Sequence, residues 1–237
     1  MIENVELNMI NISEIDLDKV YLHYTNKNNL VSIYKNGLQP KIGKNAKVIE
    51  KTKKVFFSVG DKGALVTMDT WLKWLIAIPK NELIYYIGAN LIKIKFVQIL
   101  YRMITGNHKS EKKCKWSYNK LKKILDNSVY LVLNLEENID FKYNDIDEVK
   151  KYSKYPKDFI KNVYAYNSNP LDEQMEYWNM HTISNKIINP QKIQVLRLNN
   201  ETSASEILKY LIENNLDYVK ENCELLYKYY QYIYFQK

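Results

Sequence analysis

Short apolar runs separated by polar turns set the order of elements along this chain. Val20-Tyr21-Leu22 is the first run and ends in His23-Tyr24-Thr25, which predicts a strand near residues 20–24. Leu30, Ile33 and Tyr34 then recur at helical spacing, and Gly37 stands where a helix C-cap would sit, so a helix is expected over 27–36. Leu38 and Pro40 lead into a polar loop, 41–54, with six lysines and no aromatic residue. That loop reads as solvated, or as a flap whose lysines meet a phosphate-bearing ligand. Val55-Phe56-Phe57-Ser58-Val59 is the next run with strand character. Residues 1–19 alternate Ile and Leu with acids and Asn, and read as a leader packed against the first strand.

Gly60-Asp61-Lys62-Gly63 reads as a turn. Residues 64–75 then read as a helix, with Leu65, Met68, Trp71 or Leu72, and Leu75 on one face. Residues 79–127 read as a helical block, interrupted at Gly106-Asn107-His108 and closed by a Lys-rich helix with Trp116, Leu121, Ile124 and Leu125 on its apolar side. The strongest strand signal is the continuous apolar run 129–135, which predicts a central position in a sheet. Later strands are expected near 176–183 and 193–198, and two helices over 203–237, with Ser203 and Ser205 as N-cap candidates. A length of 237 residues allows one large domain or one and a half ordinary ones.

Composition narrows the class. With 46% hydrophobic and 26% charged residues, six glycines and five prolines, the chain is globular and has no low-complexity tract. The formal net charge of +8 would suit nucleic acid or another anionic surface, but only Arg102 and Arg197 are arginines. Nucleic-acid readers favour arginine forks, so the charge is read mainly as lysine bias. Cys114 and Cys223 have no metal spacing and form no disulfide framework, so no metal is expected and a reducing cytoplasm fits. The first residues carry acids and no basic segment followed by an apolar core, which speaks against a secretory signal. The most apolar window, 83–104, is interrupted by Asn90, Lys93, Lys95, Gln98 and Arg102, so no membrane span is expected.

His23-Tyr24-Thr25, the Ile33-to-Gly37-Leu38 helix end and Phe56-Phe57-Ser58 occur in an order and spacing that resembles the N-terminal half of the ADP-ribosyltransferase superfamily, in its His-first, H-Y-E-like branch. Glu176 and the later Ile188-Asn189-Pro190-Gln191-Lys192-Ile193 resemble the family's late glutamate and the segment after it. Gln174-Met175-Glu176 also looks like the Q-x-E form of one branch, but that branch opens with an Arg and an S-T-S strand that this chain lacks. The family's tyrosine after the aromatic-aromatic-Ser strand is missing too. Met68 stands near that place, with Trp71 and Trp74 beside it. The resemblance implies an α+β fold in a single domain, 1–237, with a split, mostly antiparallel β core, a helical insertion about 64–127 between its two halves, and C-terminal helices about 203–237 padding one side.

The activity implied is transfer of ADP-ribose from NAD, as substrate, to a macromolecular acceptor, protein before nucleic acid, or hydrolysis of NAD. Breaking the bond to nicotinamide makes the ribose positive, and a carboxylate placed there lowers the barrier. Glu176 is the catalytic candidate and Glu173 its rival. His23 would hold the other ribose, with Thr25 bonding phosphate or backbone nearby. Phe57, Tyr24 or Trp71 would form an aromatic floor for nicotinamide, and Ser58 belongs to the same cofactor-binding set. A structural role competes for the same residues: the His23 ring would bond a backbone carbonyl and Phe56 and Phe57 would be core. Two other functions stay open. One is a non-catalytic interaction protein that keeps the fold. The other is a nucleic-acid-directed relative such as an RNA 2'-phosphotransferase, disfavoured by the scarcity of arginine.

Overall fold

Val129, Tyr130, Leu131, Val132 and Leu133 are all buried, although successive side chains point to opposite faces. A strand apolar on both sides must sit inside a sheet with both faces covered, and β4 (Ser128–Asn134) does. A computed structural model describes residues 8–41, 53, 55–77, 111–134, 142–143, 181–184 and 186–235. It is an α+β protein built on a seven-stranded sheet of order β1-β7-β4-β2-β3-β6-β5. The strands are β1 (Met9–Asn11), β2 (Val20–Asn26), β3 (Val55–Val59), β4, β5 (Lys142–Tyr143), β6 (His181–Ser184) and β7 (Gln194–Arg197). Every pairing is antiparallel except β1 with β7. The leader thus pairs with the last strand and not the first, because Met9–Asn11 runs beside Val195–Arg197 in parallel.

The six described α-helices divide between the faces. On one face lie α2 (Gly60–Ala77), α3 (Glu111–Asp126), α4 (Ala204–Asn214) and α6 (Glu224–Phe235), with α5 (Leu216–Asn222) joining the last two. Their Leu65, Met68, Leu72, Leu121, Leu125, Leu208, Leu211 and Leu226 form one core with Val20, Leu22, Tyr130, Val132 and Leu196 of the sheet. The other face carries a smaller core of Tyr21, Phe57, Val129, Leu131, Leu133 and Val195, covered by Ile33 of α1 (Leu30–Asn36), Leu38, Ile188 and Ile193. The described helices of the expected block, α2 and α3, therefore share one side with the C-terminal helices.

Several local expectations meet a different outcome. Gly60–Gly63 is the first turn of α2, not a free turn: Gly60 takes a positive φ of 67° and the helix starts at once. The C-terminal stretch is three helices, with a break at Cys223. Of the strand expected near 176–183, His181–Ser184 forms β6, and residues 176–180 lie outside the described residues. Glu176, Glu173, the window 83–104 and most of the 41–54 loop lie outside the described residues. No helix among the described residues is long and apolar enough to cross a membrane.

Two contacts explain local sequence choices. Gly37 caps α1, its N–H bonding Ile33 O at 2.7 Å, and adopts φ 75°, ψ 170°, where only glycine is comfortable. The Leu38–Ile188 bridge, with both N···O distances 3.0 Å, brings the Ile188 carbonyl to where a Cβ on residue 37 would lie; the Ile187 Cγ2 would be 2.7 Å from it. The second contact concerns α6. Cys223 precedes it and has no oxygen with which to cap it. The buried Asp69 of α2 accepts from the third N–H of α6, that of Leu226, at 2.9 Å. A carboxylate there satisfies an orphan donor and meets the positive end of the helix.

Gly37→Ala is expected to destabilise the protein by more than about 2 kcal/mol, since strained backbone and overlap act together; urea unfolding would read it. Asp69→Ala should lose about 1–3 kcal/mol, the cost of stranding a buried donor, with Asp69→Asn recovering part through its amide oxygen. Equal midpoints for Asp69→Ala and the unsubstituted chain would refute the capping role.

Candidate functional site

The sheet comes apart where the first motif ends. β2 and β3 pair only at Tyr21–Val59 and Leu22–Ser58. Beyond that point β2 continues against β4 as far as Asn26, and β3 continues against β6 back to Val55. His23 is the first residue past the last pair. Its Nδ1 donates to the Phe56 carbonyl at 2.7 Å, so a side chain takes up a backbone acceptor near the end of the ladder. A carbonyl can only accept, so Nδ1 carries the proton and Nε2 of the neutral ring is left as an acceptor. Burial is the main influence on this ring and holds its pKa below the ordinary 6.5, against the opposing pull of the Phe56 carbonyl.

Alternation along β2 and β3 sorts the other candidates. His23 and Phe57 share a face, with ring centroids 5.5 Å apart, and Phe57 also meets Tyr21 at 6.0 Å. Thr25 is two residues on from His23, on that face. It is 8% exposed and its Oγ1 accepts from Asn29 Nδ2 at 3.1 Å. Tyr24 points the other way. Its ring meets Trp71 edge-on at 5.6 Å and Tyr130 at 6.0 Å, and its hydroxyl donates to Ser128 Oγ at 2.8 Å. Ser58 also points to the helical face, where its hydroxyl bonds Thr67 of α2 at 2.8 Å.

The structure thus brings together His23, Thr25 and Phe57, and places Tyr24, Ser58 and Trp71 on the opposite side of the sheet. That corrects the expectation of a shared cofactor-binding set, because a period of two cannot put Tyr24 beside both His23 and Thr25. Phe57 is 1% exposed, which makes it the support under His23 and not an open stacking surface. Asn29 is an addition that the motif reading missed; an amide four residues after Thr25 was its signal. The described residues contain no group of three or more His, Cys, Asp and Glu placed to hold a metal.

His23 makes stability depend on pH. Its folded pKa is depressed, so the unfolded chain binds the extra proton first as pH falls below 6.5. The stabilisation is complete above 6.5, declines toward the lower folded value and levels off beneath it. His23→Asn, whose amide can still donate to Phe56 O, should lose less stability than the unsubstituted chain between about pH 7.5 and about pH 5.5. Identical losses in denaturant titrations would contradict the assignment.

Comparison with known protein families, curated proteins and solved structures finds no match to this chain.

Proposed function

We propose that the chain binds NAD at the opening between β2 and β3, and that it transfers ADP-ribose to a macromolecular acceptor or hydrolyses NAD, on an ADP-ribosyltransferase-like split sheet. The observation that carries this reading is His23. It stands at the point where the two flanks of the sheet separate, with its ring fixed through Nδ1 to Phe56 O. The acceptor Nε2 suits a ribose hydroxyl, which can donate to it. Phe57 and Thr25 share the His23 face, so the H-x-T element acts with the following strand as one surface. Glu176 stands five residues before β6, the strand paired with β3, and remains the carboxylate proposed to stabilise the positive ribose.

A second reading, a non-catalytic binding protein on the same fold, draws on one observation. Tyr24 and Trp71 are engaged with each other on the helical face, and Phe57 is core. The residues expected to clamp nicotinamide are thus committed to packing.

A single experiment separates these. Purified protein is titrated with NAD, thermal stability is followed, and released nicotinamide is assayed in the same samples. A ligand at a hundred times its Kd adds about 2.7 kcal/mol to the folded state, so binding raises Tm. Binding with release, lost in Glu176→Gln while the Tm shift persists, is the result expected of the enzyme. Binding without release, with acceptor proteins present, favours the second reading. No shift at millimolar NAD would overturn the enzyme reading and leave the non-catalytic one standing.

A further inference from the structure

We propose that Arg197 is an oxyanion-binding position, for a phosphate or carboxylate group of a ligand, on the α1 face of the sheet and apart from the β2–β3 opening. Arg197 closes β7, where Leu131 pairs with Val195 and Val132 with Gln194. Carried two residues further, that register sets Arg197 beside Val129, which pairs with Thr25. On its other side Arg197 pairs with Asn11 of β1. The row across the sheet is therefore Thr25, Val129, Arg197, Asn11. Alternation from the buried Val195 points the Arg197 side chain to the α1 face.

Arg197 is half-buried, and its Nε is closed off from solvent with no hydrogen-bond partner. Among the described residues it forms no ion pair. Glu14, the acid tied to its neighbour Asn11, accepts from the Asn11 N–H in the capping box. A guanidinium keeps its charge at any working pH, and an enclosed donor without an acceptor is unfavourable. An acceptor that carries negative charge relieves both at once, and a neutral one does not. The guanidinium fork presents parallel donors that match two oxygens of a carboxylate or phosphate. Val129 and Asn11 flank the position and Thr25 lies beyond Val129, all with neutral side chains, so nothing else in the row competes for the charge. This proposal does not rest on the NAD reading. Ile33 of α1 packs over Val129, Leu131 and Val195, the stretch of sheet between β2 and β7.

The chain's composition makes the test direct, because Arg102 is its only other arginine. In Arg102→Lys protein the Nε–Hε resonance of Arg197 is the single arginine signal in a 15N correlation spectrum. Titration with inorganic phosphate, pyrophosphate and acetate, against chloride at matched ionic strength, reads the site on folded protein without altering it. Expected is a saturable downfield shift of this signal in the millimolar range with at least one oxyanion and none with chloride. Saturation by phosphate and pyrophosphate alone would assign the phosphate class, and saturation by acetate as well the wider one. A signal that moves equally with chloride, or not at all, overturns the proposal. Arg197→Lys supplies the second readout: it should lose the oxyanion-dependent rise in Tm, and an undiminished rise would also overturn it.

Discussion

Among the described residues, the ladder between the β1-β7-β4-β2 flank of the sheet and the β3-β6-β5 flank has two backbone pairs, Tyr21–Val59 and Leu22–Ser58. Everything around that seam compensates for it. Where strands part, backbone groups that a ladder would pair need other partners. The Phe56 carbonyl finds one in His23. On the helical face, Ser58 is tied to Thr67 of α2. On the other face, Leu38 after α1 exchanges two hydrogen bonds with Ile188 just beyond β6. The seam is thus splinted above and below by groups from both flanks, and this explains how a short ladder holds its register.

The two faces are unequal, and the difference lies in what covers them. Four helices pack on one side, with tyrosine rings from different helices in contact: Tyr118 of α3 meets Tyr229 and Tyr232 of α6 at 6.0 and 5.5 Å. The hydroxyls of Tyr130 and Tyr229 are buried without partners, and burial drives both pKa values far up, so both rings stay neutral. Inside this layer Asp69 acts as a cap supplied by another helix, because the residue ahead of α6 is a cysteine. Among the described residues, the other face has one short helix and a few apolar residues of irregular chain. His23 and Arg197 both lie toward this face, at different places across the sheet.

Much of this was legible from residue pattern alone. The unbroken apolar run at 129–133 announced a strand buried on two sides, and Gly37 and Ser203 marked a helix end and a helix start that the structure repeats. Other features depend on partners distant in sequence. Nothing local in Met9–Asn11 says that it pairs with Val195–Arg197, and Gly60–Gly63 has turn composition although it opens a helix. For the candidate site, the His-x-Thr spacing was informative because it keeps two side chains on one face. Grouping Tyr24 and Ser58 with them ignored the same alternation. Glu176 is known from its sequence position alone, since it falls outside the described residues.

The protonation of His23 decides which hydrogen-bonding role its Nε2 can take. Burial lowers the pKa and the carbonyl of Phe56 fixes the proton on Nδ1, so at neutral pH the remaining nitrogen presents a lone pair. A lone pair attracts a hydroxyl or an N–H and repels an anionic oxygen. The neutral ring thus suits a hydrogen-bond donor at Nε2 and not an anionic oxygen. Protonation would invert this preference by making Nε2 a charged donor. Because burial opposes that proton, the inversion is displaced to pH values below the ordinary histidine range. The short ladder that exposes the Phe56 carbonyl to this side chain is therefore also what selects the tautomer.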